Sequence, residues 1–265
     1  MFSLKDRVAI VTGSLGLLGK EHCIALAEAG AHVVVTDLDE KRCKEFAPCL
    51  KPEALGAGAD ISDKESVNGL LDKTLAHFGR IDILVNNAAV DEKFETPLAA
   101  LKMSQFENFP LTLWKKIMDV NVTGMFLCSQ IIGSAMAEQG RGSIINIAST
   151  YGVVGPDQSI YMTPEGQQAF FKSPAYPVSK GAVISFTRFL ASYWGHRGVR
   201  VNTLSPGGVE NAQNDFFVKN YAAKTLLGRM AQPSDYRGAV VYLASDASNY
   251  MTGANLIVDG GWTAI

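Results

Sequence analysis

The chain has 265 residues, enough to bury one large α/β core without covalent staples. With 47% hydrophobic and 19% charged residues it is neither disordered nor fibrous, and a formal charge of −2 without a basic stripe argues against nucleic acid or a membrane surface as a partner. The opening MFSLKDRVAIVTG lacks the apolar stretch of a signal peptide, no segment reads as a membrane span, and Cys23, Cys43, Cys49 and Cys128 lack metal-ligand spacing, so the expectation is a reduced, cytoplasmic protein without a metal site.

In chain order, a β-branched run at 7–11 ends in Thr12-Gly13 and leads into an Ala- and Leu-rich helix over 17–29, closed by Gly30. Residues 31–36 form a second strand ending at Asp37, and a third precedes Asp60-Ile61. Val67, Leu70, Leu71, Thr74, Leu75 and Phe78 recur at helical spacing, which predicts a helix with one buried face. Continuous apolar runs at 81–85, 143–147 and 200–204 suit strands covered on both sides, and 256–258 is a last short strand. Between them, Met118, Val122, Met125, Phe126, Ser129, Ile132 and Met136 mark one helix, and Val183, Phe186, Thr187, Leu190 and Trp194 another. Both are apolar over arcs wider than one sheet contact needs, which predicts a helix-to-helix subunit interface. The alternation predicts one α/β domain over 1–265: a Rossmann-type, doubly wound parallel sheet of about seven strands, helices on both faces and right-handed crossovers.

Residues 12–19 read TGSLGLLG, between the first strand and the first helix. Glycines there let backbone approach a pyrophosphate, and the helix N-terminus offers it free N–H groups. An acid about twenty residues on completes the pattern of a dinucleotide site. That acid is Asp37: its carboxylate can hold ribose hydroxyls and would repel a 2′-phosphate, so the cofactor is expected to be NAD(H). Asp60 and Ile61 fall where an adenine edge would lie, and small residues in Asn86-Asn87-Ala88-Ala89 let a cofactor cross the strand ends.

Residues 176–180 read YPVSK. On a helix Tyr176 and Lys180 share one face, and an ammonium beside a phenol would lower its pKa and make it a usable acid/base. Ser149 follows the strand at 143–147, Asn121 lies in DVNVTG, and Pro206-Gly207 follows the strand at 200–204.

This ordered set, TGxxxxxG, NNAA, VN, NIAS, YPVSK, NTLSPG and VDGG, resembles the short-chain dehydrogenase/reductase family along essentially the whole chain. The resemblance implies an enzyme that interconverts a secondary alcohol and a ketone. Tyr176 would carry the proton, Ser149 would hold the reacting oxygen, Lys180 would bind the nicotinamide ribose, and Asn121 would hold a water linking Lys180 to solvent. Gly13, Ser14, Leu15 and Leu18 would line the pyrophosphate, Asn87, Ala88 and Ala89 the far ribose, and Pro206, Gly207 and Val209 the nicotinamide. A homotetramer or homodimer is also implied.

Departures from the family pattern narrow the reading. The turn has Gly16 and Leu17 where the commoner spacing puts glycine at 17; the extended branch shares this spacing, but the short tail after Gly261 does not suit that branch. Asn211 replaces the usual Thr after the Pro-Gly loop. Segments 91–112 and 151–174 read as inserts, and 211–224 as a lid. GLLGK together with a Tyr-rich insert is similar to a subgroup of flagellin-modification oxidoreductases. Asp157, Gln158, Tyr161, Thr163, Glu165, Gln167 and Gln168 in the second insert suggest a hydroxylated, sugar-like substrate. Phe94, Phe106, Phe109, Phe170, Phe171, Phe216 and Phe217 support an alternative, a reductase of hydrophobic ketones or acyl thioesters. A non-catalytic NAD(H) sensor is the alternative of another class.

Overall fold

The computed structural model describes residues 1–92 and 97–265; Phe94 and the rest of 93–96, near the start of the 91–112 insert, lie outside the described residues. Seven parallel strands run β1 (Val8–Thr12), β2 (His32–Asp37), β3 (Ala54–Gly58), β4 (Ile83–Asn86), β5 (Gly142–Ile147), β6 (Val199–Pro206) and β7 (Asn255–Val258). Their order across the sheet is β3-β2-β1-β4-β5-β6-β7. The chain winds outward from β1 in one direction, then returns and winds the other way from β4. The crevice between the C-terminal ends of β1 and β4 is therefore the topological switch point, where such sheets bind ligands.

Side chains alternate across the strands and build two cores. Ala9, Val11, Val33, Val35, Ile83 and Val85 face one core with α1 (Leu17–Glu28) and α9 (Arg237–Ala244), through Cys23, Leu26, Val240 and Leu243. Val8, Ile10, Val34 and Leu84 face the other, against α3 (Lys64–Phe78), α6 (Met125–Glu138) and α7 (Ala175–Trp194). Both faces of every central strand are thus dry, which is why these strands read as unbroken apolar runs. Three short helices complete the first two-thirds of the chain: α2 (Glu40–Phe46), α4 (Pro97–Ser104) and α5 (Leu111–Met118); α8 (Asp215–Ala222) follows β6.

A π-helical turn over Asp119–Gly124 joins α5 to α6, so helix runs without a break from Leu111 to Glu138. By length and composition this run is apolar enough to cross a membrane, contrary to the sequence reading. Half of its most apolar window is buried, with Cys128, Ile132 and Met136 packed against the sheet, so core packing accounts for its hydropathy.

Candidate active site

The turn after β1 is shaped by close approaches that exclude side chains. Gly13 has φ +64°, and a Cβ there would lie 2.7 Å from the Ala88 Cα; one on Gly19 would lie 2.0 Å from the Gly13 carbonyl oxygen. The helix that follows begins at Gly16 with no side-chain cap and no acid in its first turn. Its leading N–H groups are left for an anion.

Thr12, which sequence reasoning passed over, ties this turn to the end of β4. Its hydroxyl donates to the Val85 carbonyl (3.3 Å) and accepts from the Asn87 and Ala88 N–H groups, both at 3.1 Å. The Asn87 amide donates in turn to the Thr12 and Gly13 carbonyls. Its only advance signal was its place before Gly13.

A cleft of about 310 Å³ runs over these strand ends, lined by Gly13, Leu18, Asp37, Asp60, Ile61, Asn87, Ala88 and Ala89 among others. The Asp37 carboxylate accepts from the Leu15 and Leu38 N–H groups (3.1 and 2.8 Å) and is fixed in the wall. Among the described residues, no lysine or arginine lines this cleft. Asp60 accepts from the Ser62 N–H and hydroxyl, so it also shapes its own turn. An uncapped helix start beside a fixed carboxylate fits a nicotinamide dinucleotide.

Two expected cleft residues lie elsewhere. Ser14 is fully buried, its hydroxyl donating to the Val11 carbonyl and accepting from the Thr36 N–H, while its own N–H donates to the Thr36 carbonyl. It stitches β1 to β2 and has no polar group left for a phosphate. Leu15 packs against the first core and gives its N–H to Asp37.

A cavity of about 300 Å³ adjoins the cleft, with Leu18, Asn87 and Ala89 lining both. Ser149, Tyr176, Lys180, Pro206, Gly207 and Val209 converge on it. Ser149 is carried by the end of β5, and Tyr176 and Lys180 by the first turns of α7, one helical turn apart. Burial pushes the Tyr176 phenol well above its usual value, the Asp91 carboxyl adds to the rise, and a hydrogen bond from Ser149 pulls the other way. This corrects the expected drop. The Lys180 ammonium donates to the Ile147 carbonyl at 2.8 Å and lies 5.6 Å from the Tyr176 ring centroid. Burial pulls Lys180 down to about 8, with Asp91 acting in the opposite sense.

Asn121 is buried, and its side chain is fully engaged away from Lys180. Its amide oxygen accepts from the Val90 N–H (2.8 Å), and its amide nitrogen donates to the Val90 carbonyl (2.9 Å) and to the Ser179 hydroxyl (3.1 Å). It fastens the strand that leaves β4 to the helix that carries Tyr176.

The insert at 151–174 contributes Tyr151, Tyr161 and Lys172 to the cavity wall. Most of the polar residues expected to bind hydroxyls are spent within the insert or on its neighbours. Gln158 bonds the Lys172 backbone, Gln168 bonds the Gln158 and Phe170 carbonyls, and Asp157 pairs with Lys224 at 2.9 Å. Thr163, Glu165 and Gln167 are outside the cavity wall. The groups that do reach it beside the tyrosines are Lys172 and Asp91, neither of which sequence reasoning singled out. From the opposite side come Gln213, Phe217, Tyr221 and Met230.

Comparison with known proteins finds relatives along the whole chain. A family model described as enoyl-(acyl carrier protein) reductase matches residues 17–263. The chain is 34% identical to D-threitol dehydrogenase of Mycolicibacterium smegmatis, over 99% of this chain and 95% of that one. It is 35% identical to 3-alpha-(or 20-beta)-hydroxysteroid dehydrogenase of Mycobacterium bovis, over 98% and 91%. Among solved structures, a gluconate 5-dehydrogenase from Burkholderia cenocepacia, in complex with NADP and tartrate, superposes with a TM-score of 0.86 at 30% identity, over 100% of this chain and 98% of that one.

Proposed function

The chain belongs to the short-chain dehydrogenase/reductase family of oxidoreductases acting on CH–OH groups, and from that premise we propose that it interconverts a secondary alcohol and a ketone on a polyhydroxylated substrate, using NAD(H) in preference to NADP(H). What carries the reading is the convergence of Ser149, Tyr176 and Lys180 on one cavity contiguous with a dinucleotide-shaped cleft. The nicotinamide supplies or takes the hydride when bound. Tyr176, protonated because burial favours the neutral phenol, delivers its proton to the carbonyl oxygen in reduction and recovers it in oxidation. Ser149 holds that oxygen by a second hydrogen bond. Lys180, one helical turn from Tyr176, binds the nicotinamide ribose by analogy with the family. Asn121 acts as a positioning residue through Val90 and Ser179.

Gly13, Leu18, Asp37, Asp60, Ile61, Asn87, Ala88 and Ala89 are proposed to hold the adenosine and pyrophosphate end, and Pro206, Gly207 and Val209 the nicotinamide end. Support for NAD(H) comes from Asp37 and, among the described residues, the lack of a cation in the cleft wall; the relative that holds NADP makes this a point to measure. The narrower likeness to flagellin-modification oxidoreductases rests on GLLGK and the Tyr-rich insert. A cytoplasmic homodimer or homotetramer completes the proposal.

Phe217, Tyr221 and Met230 favour a second reading, reduction of a hydrophobic ketone or an acyl thioester, in keeping with the hydroxysteroid dehydrogenase relative. A panel of polyols, sugars, simple alcohols and hydroxysteroids with NAD⁺ separates the two. In the same assay Tyr176→Phe is expected to lower turnover by roughly 10²–10⁴-fold while NADH still binds. Near-normal turnover in that variant removes Tyr176 from the chemistry, and no turnover of any alcohol or ketone by the native protein leaves a nucleotide-binding protein instead.

A further inference from the structure

Asp91, Glu92 and Lys172 form an ionic cluster at the cavity wall that the chemistry above does not use. The Lys172 ammonium is only 8% exposed; it pairs with Asp91 and, at 3.2 Å, with Glu92. The same ammonium lies 4.6 Å from the centroid of the Tyr176 ring, closer than Lys180. Glu92 is deep, its side chain 1% exposed, and also accepts from the Ser173 N–H, which holds the end of the insert in place. Asp91 differs: its side chain is 44% exposed and lines the cavity. Burial pushes the Asp91 carboxyl up. In Glu92 burial acts the same way but is outweighed by the hydrogen bond from Asp91 and by the Lys172 charge, which hold it low. Asp91 and Lys172 come from the two inserts, and Asn121 fixes the Asp91 side by clamping Val90.

We infer that Asp91 and Lys172 form a clamp for a hydroxyl on the carbon next to the reacting one, and that the clamp selects neutral vicinal diols and polyols over both mono-alcohols and hydroxy acids. This rests on the alcohol-oxidising reading above and names the substrate class within it. A carboxyl oxygen of Asp91 accepts the proton of that neighbouring hydroxyl, and the Lys172 ammonium donates to its oxygen; together they satisfy a group that is donor and acceptor at once. A mono-alcohol would leave Asp91 and Lys172 only each other and forgo the two hydrogen bonds that the diol gains. An anionic substrate would meet Asp91 first, and Lys172 is already neutralised by two carboxyl groups, so the cluster offers no net positive charge to a carboxylate.

The test compares 2,3-butanediol, 2-butanol and a 3-hydroxybutyrate with the native protein, Asp91→Asn and Lys172→Met, in kcat/KM with NAD⁺ and in calorimetric binding of each compound to the protein saturated with NADH. The expected result is a diol preference over 2-butanol of at least about tenfold, equivalent to about 1.4 kcal/mol. That preference, read as the ratio of kcat/KM for the diol to that for 2-butanol, should collapse in both variants because the diol loses more than 2-butanol does. Asp91→Asn should also raise acceptance of the hydroxybutyrate relative to the diol. Equal loss on diol and 2-butanol would make the cluster a support for Tyr176 and overturn the clamp. So would a native preference for the hydroxybutyrate. If none of the three compounds turns over, calorimetry still decides: tighter diol binding that the variants lose upholds the clamp and indicts only the reaction assignment, whereas equal binding of diol and 2-butanol overturns it.

Discussion

The Asp37 carboxylate is held by two backbone N–H groups at the end of β2, so it cannot swing aside for a 2′-phosphate without breaking both bonds. Asp37→Ser should therefore lower kcat/KM with NAD⁺ and raise it with NADP⁺, shifting the ratio by roughly tenfold or more. An unchanged ratio would place cofactor choice in other residues. His22, buried in α1 with no hydrogen-bond partner on either ring nitrogen among the described residues, has its pKa lowered by burial from 6.5 to about 4. Between those values the unfolded chain binds the extra proton, so this group's contribution to stability is intact above pH 6.5 and is lost as the pH falls toward 4. The loss amounts to roughly 3 kcal/mol at most. Chemical denaturation from pH 7 to 4 should show a shallower acid limb for His22→Leu than for the native chain; identical limbs would assign acid sensitivity to other groups. That Ser149, Tyr176 and Lys180 meet at one cavity was legible from motif and spacing, because the spacing puts Tyr176 and Lys180 on one helix face and Ser149 at a strand end. The direction of the Tyr176 shift was not, because it depends on how completely the inserts enclose the phenol.

The strands were legible to within one or two residues, since both cores impose unbroken apolar runs on them. The turn after β1 was legible as a cradle but not residue by residue. Ser14 looks like a phosphate contact in sequence and is a strand tie in space, and Thr12 is the reverse case of an overlooked organiser. The 151–174 insert was visible only as excess length. Its polar side chains mostly satisfy its own backbone, which any loop without regular ladders must do, so counting them overstated the polar groups facing the cavity. What the sequence could not reveal is that α8 docks on this insert. Tyr161 packs against Phe217 with ring centroids 5.3 Å apart, Asn220 donates to the Ile160 and Met162 carbonyls, and Lys224 pairs with Asp157. We therefore expect the insert and the 211–224 segment to move as one roof over the cavity. Asn220→Ala removes two of these bonds, each worth about 1 kcal/mol. It should raise the substrate KM by up to roughly tenfold while leaving NADH affinity within about twofold. A larger effect on NADH than on substrate would mean that the roof closes on the cofactor end instead.

On the outer side of α6 and α7, away from the sheet, a row of aromatic rings remains uncovered. Phe126 is 41% exposed, Phe189 60% and Tyr193 59%. Phe126 approaches Phe186, Phe186 stacks on Phe189, and Phe189 stacks on Tyr193, with centroids about 6 Å apart throughout. The sequence expectation of a leftover apolar stripe is met here by partly different residues. Val183, Thr187, Leu190 and Trp194 are consumed by the cores, and Phe189 and Tyr193 take their place on the outside. A contiguous apolar strip on two adjacent helices suits a self-complementary contact with a second copy, each strip packing on its two-fold mate. The consequence reaches the site, because α7 carries both this strip and the Tyr176–Lys180 pair. The double variant Phe189→Glu with Tyr193→Glu would place four carboxylates at a two-fold interface, where burying unpaired like charges costs several kcal/mol. Light scattering at micromolar concentration should then show the native chain as a dimer or tetramer and the variant shifted to smaller species, with a lower thermal midpoint that no longer depends on protein concentration. A monomeric native chain, or a variant of unchanged mass, would mean that the strip serves another purpose.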